Sequence, residues 1–174
     1  GVRIVHAHLV DGVLAELSTT LALPARFCLA AVGGYGRGEL FPGSDVDALL
    51  LLPAEPDERE AAALERWVQA AWDVGLEIGH SVRTVEACLL EAADLTVETN
   101  LLEARFLWGD AALYARFQEA FRARFDALAF FDAKLLEQER RHQRYDDSAY
   151  KLEPNLKDSP GGLRDLHTLR WLAL

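Results

Sequence analysis

Only two cysteines occur in the 174 residues. Cys28 lies in the apolar run FCLAAV and Cys88 in EACLLEAA, with neither a C-x-x-C partner nor a flanking histidine cluster. That scarcity argues against a disulfide framework, and both read as buried small hydrophobes of a protein kept in a reducing compartment, the cytoplasm. Long apolar runs are missing as well. Nothing approaches the roughly 20 uninterrupted apolar residues that span a bilayer, and no basic stretch followed by an apolar one opens the chain, so neither membrane insertion nor export is expected. Positive charge is in short supply: 18 Lys and Arg stand against 28 Asp and Glu, a formal net charge of −10. Such a balance opposes binding of long nucleic acid through counterion release. A single nucleotide is not excluded, because a metal ion, backbone amides and one or two arginines neutralise a triphosphate locally. What is present is the mixture of an ordinary folded protein, 51% hydrophobic and 26% charged, long enough for a small domain and the start of a second.

Helical spacing of Ile4, Val5, Leu9, Val13, Leu14 and Leu17 predicts an amphipathic helix over residues 2–21, with Gly12 as its blemish. Residues 26–32 form a short apolar run between Pro24 and Gly33-Gly34, as a buried strand would. The segment GGYGRGELFPGS is too irregular for either period and is expected to be a loop with a short helical turn at most. Residues 45–52 (DVDALLLL) read as a buried strand with a polar entrance. From Asp57, Ala61, Leu64, Trp67, Val68, Ala71 and Trp72 recur at helical spacing until Gly75 closes the pattern. Residues 76–83 (LEIGHSVR) alternate as a half-polar third strand.

Beyond Thr84 the chain is expected to be entirely helical, over 86–93, 97–107, 111–129 and 133–146. Asp110 and Asp132 stand where N-caps are needed, and Leu113, Phe117, Phe121, Phe125 and Leu128 form one apolar stripe. The domain division is accordingly expected at 1–90 and 91–174. Trp67, Trp72, Trp108 and Trp171 fall on helical stripes and read as core. His80 reads as a hydrogen-bonded structural histidine, and Arg140, Arg141, His142 and Arg144 as a solvated helix face. The last helix stops at Leu174 without a terminal signal, as expected for a piece of a longer chain.

Chemistry concentrates where a strand ends in V-G-G and, ten residues later, D-V-D opens another buried strand. Gly33 and Gly34 lack Cβ, so their amides can approach phosphate oxygens closely. Asp45 and Asp47 share a face because a strand has period two, and such a pair repels itself unless a cation sits between. Oxygen ligands with phosphates completing the shell suit Mg²⁺, or Mn²⁺ as a substitute. The reaction this permits is in-line displacement at phosphorus with pyrophosphate leaving. Glu77 is the candidate third metal acid, or else a surface acid on an edge strand. Arg37 is a candidate for bidentate phosphate contact, and Ser44 for a hydroxyl hydrogen bond to one. Alone, a double glycine is usually a tight turn and a D-x-D often a solvated strand end; their joint occurrence against two buried strands favours the functional reading.

With V-G-G-Y-G-R-G-E-L-F-P-G-S-D-V-D, LEIGHSVRT, DLTVETNLLEARFLWGD and RHQRYDDSAYKLEPNLKDSPGGLRDLHTLRW in that order, the sequence from about residue 30 onward resembles the N-terminal part of the bacterial PII-protein uridylyltransferase and uridylyl-removing enzyme family. The resemblance implies an α/β (α+β) nucleotidyltransferase fold of the DNA polymerase β type, a small mixed sheet flanked by helices, followed by an all-helical domain. It implies transfer of UMP from UTP to a tyrosine of the PII nitrogen-signalling protein, with Asp45 and Asp47 as the metal acids and Gly33 and Gly34 as the phosphate-loop glycines. The family's uridylyl-removing and glutamine-sensing parts belong to later domains that this sequence does not contain. Ala48 stands where related sequences often carry leucine, a matter of packing. Two alternatives remain: a relative using another nucleotide or acceptor, and a nucleotide-binding module without turnover. In the loop LEPNLKDSPGGLRD, Lys151, Asn155, Lys157 and Arg164 are either phosphate or partner contacts or parts of a structural closure.

Overall fold

Backbone pairing in the computed structural model, which describes residues 2–41, 43–146, 157 and 159–171, organises four strands into one mixed sheet. After helix α1 (Val2–Thr20), strand β1 (Cys28–Ala31) leads into the single turn α2 (Gly33–Gly36), and β2 (Val46–Leu52) returns beside β1. Helix α3 (Glu58–Asp73) carries the chain across to β3 (Ile78–Thr84), followed by α4 (Val85–Glu91), α5 (Leu95–Leu102), β4 (Arg105–Gly109), α6 (Ala111–Arg124), α7 (Ala127–Asp146) and α8 (Leu163–Trp171). The sheet order is β3-β2-β1-β4. β1 is antiparallel to both β2 and β4, and β2 is parallel to β3. The parallel pair needs a crossover, which α3 supplies.

β1 and β2 are buried along nearly their whole length because α1 and α3 cover one face and α6 packs on the other, so their sequences read as continuous apolar runs rather than alternations. Leu14, Leu29, Leu50 and Trp67 are fully enclosed there. One polar thread crosses this core: the Trp67 indole donates to Ser18 Oγ at 2.9 Å, and that hydroxyl donates to the Leu14 carbonyl at 2.7 Å. Helix α3 starts on a capping box, Asp57 Oδ1 accepting from Glu60 N and Glu60 Oε2 from Asp57 N. Cys28 and Cys88 are both buried, and burial pushes their thiols up to about 12, as inert core sulfur requires.

Several expectations fail in informative places. Residues 105–107, read as the end of a helix over 97–107, instead open β4, which pairs with β1, because Phe106 and Trp108 suit a pleated edge and β1 leaves that edge open. The expected long helix over 111–129 breaks instead: α6 ends at Arg124, and Asp126 caps α7 by accepting from Leu128 N and Ala129 N. Asp132 therefore lies inside α7, and Leu128 is 77% exposed. Asp110 does cap α6, as expected. Of the tryptophans, Trp67 and Trp171 are core, Trp108 is partly buried, and Trp72 is 50% exposed. His80 is exposed too, meeting Trp72 edge to face with centroids 6.2 Å apart.

The chain forms two compact units, Gly1–Arg124 and Phe125–Leu174. The sheet-bearing unit runs past the expected boundary at residue 90, because β4 is a strand of the sheet and the α6 that follows it packs against the sheet. In the second unit the described elements are the helices α7 and α8. Arg141 and His142, read as a solvated face, converge on Asp165 of α8, with His142 Nε2 3.0 Å from Asp165 Oδ2. Asp165 also accepts from Gly161 N, closing its own helix start. The Lys134 ammonium lies 4.5 Å from the Trp171 ring centre and 2.8 Å from Glu137 Oε2. Lys151 and Asn155 lie outside the described residues.

Candidate functional site

The site is assembled where β1, α2 and the start of β2 meet. Val32 N donates to Asp47 O at 3.0 Å, which fixes the exit of β1 against the second acid. Gly33 then takes φ +57, a left-handed conformation that favours glycine. A Cβ at that position would stand 3.2 Å from both Asp47 Oδ2 and the Asn100 side-chain oxygen. Asp47 is opposite Gly79 in the β2–β3 register, and a Cβ there would come within 2.9 Å of Asp47 Oδ1. One carboxylate is thus held between two residues without side chains. Gly36 serves packing instead. A Cβ on it would collide with the Glu103 carbonyl, so glycine lets α2 seat directly on the chain leading into β4.

Asp45 is exposed and Asp47 half-buried. Burial first, and the charge of Asp45 second, hold the Asp47 carboxyl above its ordinary value. Among the described residues neither carboxylate receives a hydrogen bond or faces an ion-pair partner. A cavity of about 250 Å³ lies beside Asp47, lined also by Gly79, Ser81, Arg83 and Asn100. A second, of about 620 Å³, is lined by Asp45, Trp72, Leu76 and Glu77. Two adjacent carboxylates with their charge uncompensated, one of them desolvated, fit a hard divalent cation whose remaining ligands come from phosphate oxygens.

The other expected members are not all brought to this point. Glu77 lines the cavity next to Asp45, but among the described residues no group of three or more His, Cys, Asp or Glu is gathered to hold a metal ion. It precedes β3, is exposed, and contributes its backbone carbonyl to Val46 N at 2.8 Å. Arg37 is committed elsewhere: Nη1 donates to both Glu103 oxygens at 2.6 Å and Nε to Glu39 at 2.9 Å. Burial works against its charge, and those two carboxylates more than restore it. Arg37 therefore anchors the glycine loop to the C-terminal end of α5. Ser44 accepts from Phe41 N at 3.2 Å and closes the turn before β2, leaving its hydroxyl hydrogen available.

Two groups of residues escaped the sequence reading. Arg105 on β4 reaches Asp11 of α1 with two bonds of 2.9 and 3.0 Å, and Asp11 also accepts from the Tyr35 hydroxyl at 2.7 Å. Burial raises the Asp11 carboxyl, but the Arg105 and Tyr35 bonds outweigh it and hold that carboxyl below its ordinary value. The cluster clamps α2 to both neighbours. Asn100, on α5, is the other; its only sequence signal was membership of the segment DLTVETNLLEARFLWGD.

A family model described as a nucleotidyltransferase domain matches residues 18–92, and one described as GlnD PII-uridylyltransferase matches residues 129–174. The chain is 75% identical over 169 residues to a bifunctional uridylyltransferase/uridylyl-removing enzyme of Thiobacillus denitrificans, covering 97% of this chain and 20% of that protein. A similarly named enzyme of Cupriavidus metallidurans is 58% identical over 165 residues, covering 94% and 19%. That of Aromatoleum aromaticum is 55% identical over 168 residues, covering 96% and 20%. The chain spans about a fifth of the length of these relatives.

Proposed function

Because the chain belongs to the bifunctional uridylyltransferase/uridylyl-removing enzyme family, we propose that its sheet-bearing unit transfers UMP from UTP to a tyrosine hydroxyl of the PII protein. The observation that carries this reading is the Asp45–Asp47 pair, uncompensated beside a glycine turn whose missing side chain keeps the approach to Asp47 clear. Asp45 and Asp47 would hold Mg²⁺, or Mn²⁺ in its place. When bound, that ion supplies charge neutralisation for the triphosphate and for the departing pyrophosphate.

The remaining steps fall to the chain. Gly33 and Gly34 open the first turn of α2, where amide hydrogens lack carbonyl partners within the helix and the absence of side chains leaves room for phosphate. The Arg37–Glu39–Glu103 anchor and the Arg105–Asp11–Tyr35 clamp keep that turn rigid, so that the α-phosphorus is presented in line with the attacking phenol. The phenolic oxygen forms the new ester bond as the bond to pyrophosphate breaks and the phenolic proton is released. The burial that raises the Asp47 carboxyl also strengthens its attraction for a cation.

The test is incubation of the full-length enzyme and PII with labelled UTP, ATP, GTP or CTP and Mg²⁺. Label from UTP on PII, lost in Asp45→Asn and Asp47→Asn, is the expected result; labelling by ATP and not UTP would overturn the uridylyl assignment. Unchanged transfer in both aspartate variants would remove the site.

A further inference from the structure

We propose that Asn100 is a triphosphate-positioning residue: its carboxamide donates a hydrogen bond to a non-bridging phosphate oxygen seated over Gly33, opposite Asp47. The inference rests on the nucleotidyl-transfer reading above. Three observations carry it. Asn100 and Asp47 bracket one point, each presenting an oxygen 3.2 Å from where a Gly33 Cβ would stand, and the two residues line the same cavity of about 250 Å³. Next, among the described residues the half-buried Asn100 carboxamide has no hydrogen-bond partner, so its donors are open to a ligand. Finally, its helix is built to hold it still. Asp94 Oδ1 caps α5 by accepting from Thr96 N and Val97 N, and Thr99 and Leu101 on either side are buried, so residue 100 has one direction to face.

The surrounding charges explain why a neutral donor stands there. Arg37 is held by Glu39 and Glu103, and Arg83, also in the cavity wall, lies 2.5 Å from Glu91. Both nearby guanidinium groups are thus already paired with carboxylates. A carboxamide offers two N–H donors, and rotation about its last bond exchanges oxygen and nitrogen at the same place, so the donor reaches the point above Gly33 without a change of rotamer at the backbone. A carboxylate at this position would face Asp47 and the phosphate with like charge and no donor.

The experiment uses the full-length enzyme, with Mn²⁺ alone followed by spin resonance and α,β-methylene-UTP with Mg²⁺ followed by calorimetry. Asn100→Ala is expected to bind Mn²⁺ as the parent does and the analogue about tenfold or more weakly, as loss of one hydrogen bond to a charged group predicts. Asn100→Asp, which preserves shape, should bind the analogue more weakly still. Analogue binding by Asn100→Ala within about twofold of the parent overturns the proposal, as does tighter Mn²⁺ binding with undiminished analogue affinity in Asn100→Asp, which would make residue 100 a metal ligand. Asp47→Asn separates the two levels: if it leaves Mn²⁺ binding intact, the underlying site is wrong whatever Asn100 does.

Discussion

At the scale of single residues, Asp47 sets function against stability. Its folded carboxyl lies above its ordinary value, so over the pH window from about 4 upward to that raised value the folded state binds more protons than the unfolded one. Stability therefore falls as pH rises through that window, the reverse of a salt-bridged acid. Asp47→Asn removes this term and is expected to raise the metal-free melting temperature at neutral pH by about 2–4 °C or less, corresponding to up to about 1 kcal/mol after solvent screening. Thermal scans from pH 4 to 8 check it: parent and variant should converge toward the acid end and separate at neutrality, and convergence at neutrality would contradict the assignment. The convergence of Gly33, Asp45 and Asp47 was legible in the sequence because it follows from the strand period and from a glycine turn closing the preceding strand. The ion pairs of Arg37 and the approach of Asn100 to Gly33 went unread for one reason. The partners that decide their roles, Glu103 for one and the Gly33–Asp47 pair for the other, come from segments more than 50 residues away in the chain, and no local pattern encodes that meeting.

At the scale of elements, the sequence pattern was legible where burial is decisive, on one face or on both, and failed where it is partial. Helix α3 shows its buried stripe and its capping box in the sequence, and β1 and β2 show the continuous apolar runs of strands covered on both faces. β4 has every residue half-buried, so it carries no alternation to read, and its strand character comes from the open edge of β1. The break between α6 and α7 was hidden because the aromatic stripe continues through it, Phe125 packing on Phe130 with ring centres 5.3 Å apart. Two glycines test how elements meet. Gly36→Ala, which places a methyl group against the Glu103 carbonyl, should cost about 1–3 kcal/mol in denaturant unfolding. Gly12→Ala, inside α1 with nothing within 4 Å of the added carbon, should stabilise by about 0.5–1 kcal/mol. Equal effects of the two would refute the seating of α2 on the strand entrance.

At the scale of the whole molecule, a net charge of −10 makes any cation taken up by the folded state a contributor to its stability. An ion that binds the folded Asp45–Asp47 pair and not the unfolded chain adds about 2.7 kcal/mol at one hundred times its dissociation constant. Saturating Mg²⁺ or Mn²⁺ should therefore raise the melting temperature, EDTA should reverse the rise, and Asp47→Asn should abolish it; an equal rise in that variant would place the ion elsewhere. Among the described residues no helix is long and apolar enough to cross a membrane. Trp72 gives the molecule a further property. Its indole is half exposed, donates to the Ile78 carbonyl, and lines the same cavity as Asp45. The protein thus carries its own fluorophore at the threshold of the site, and a paramagnetic ion entering beside Asp45 would dim its emission without any label having been attached.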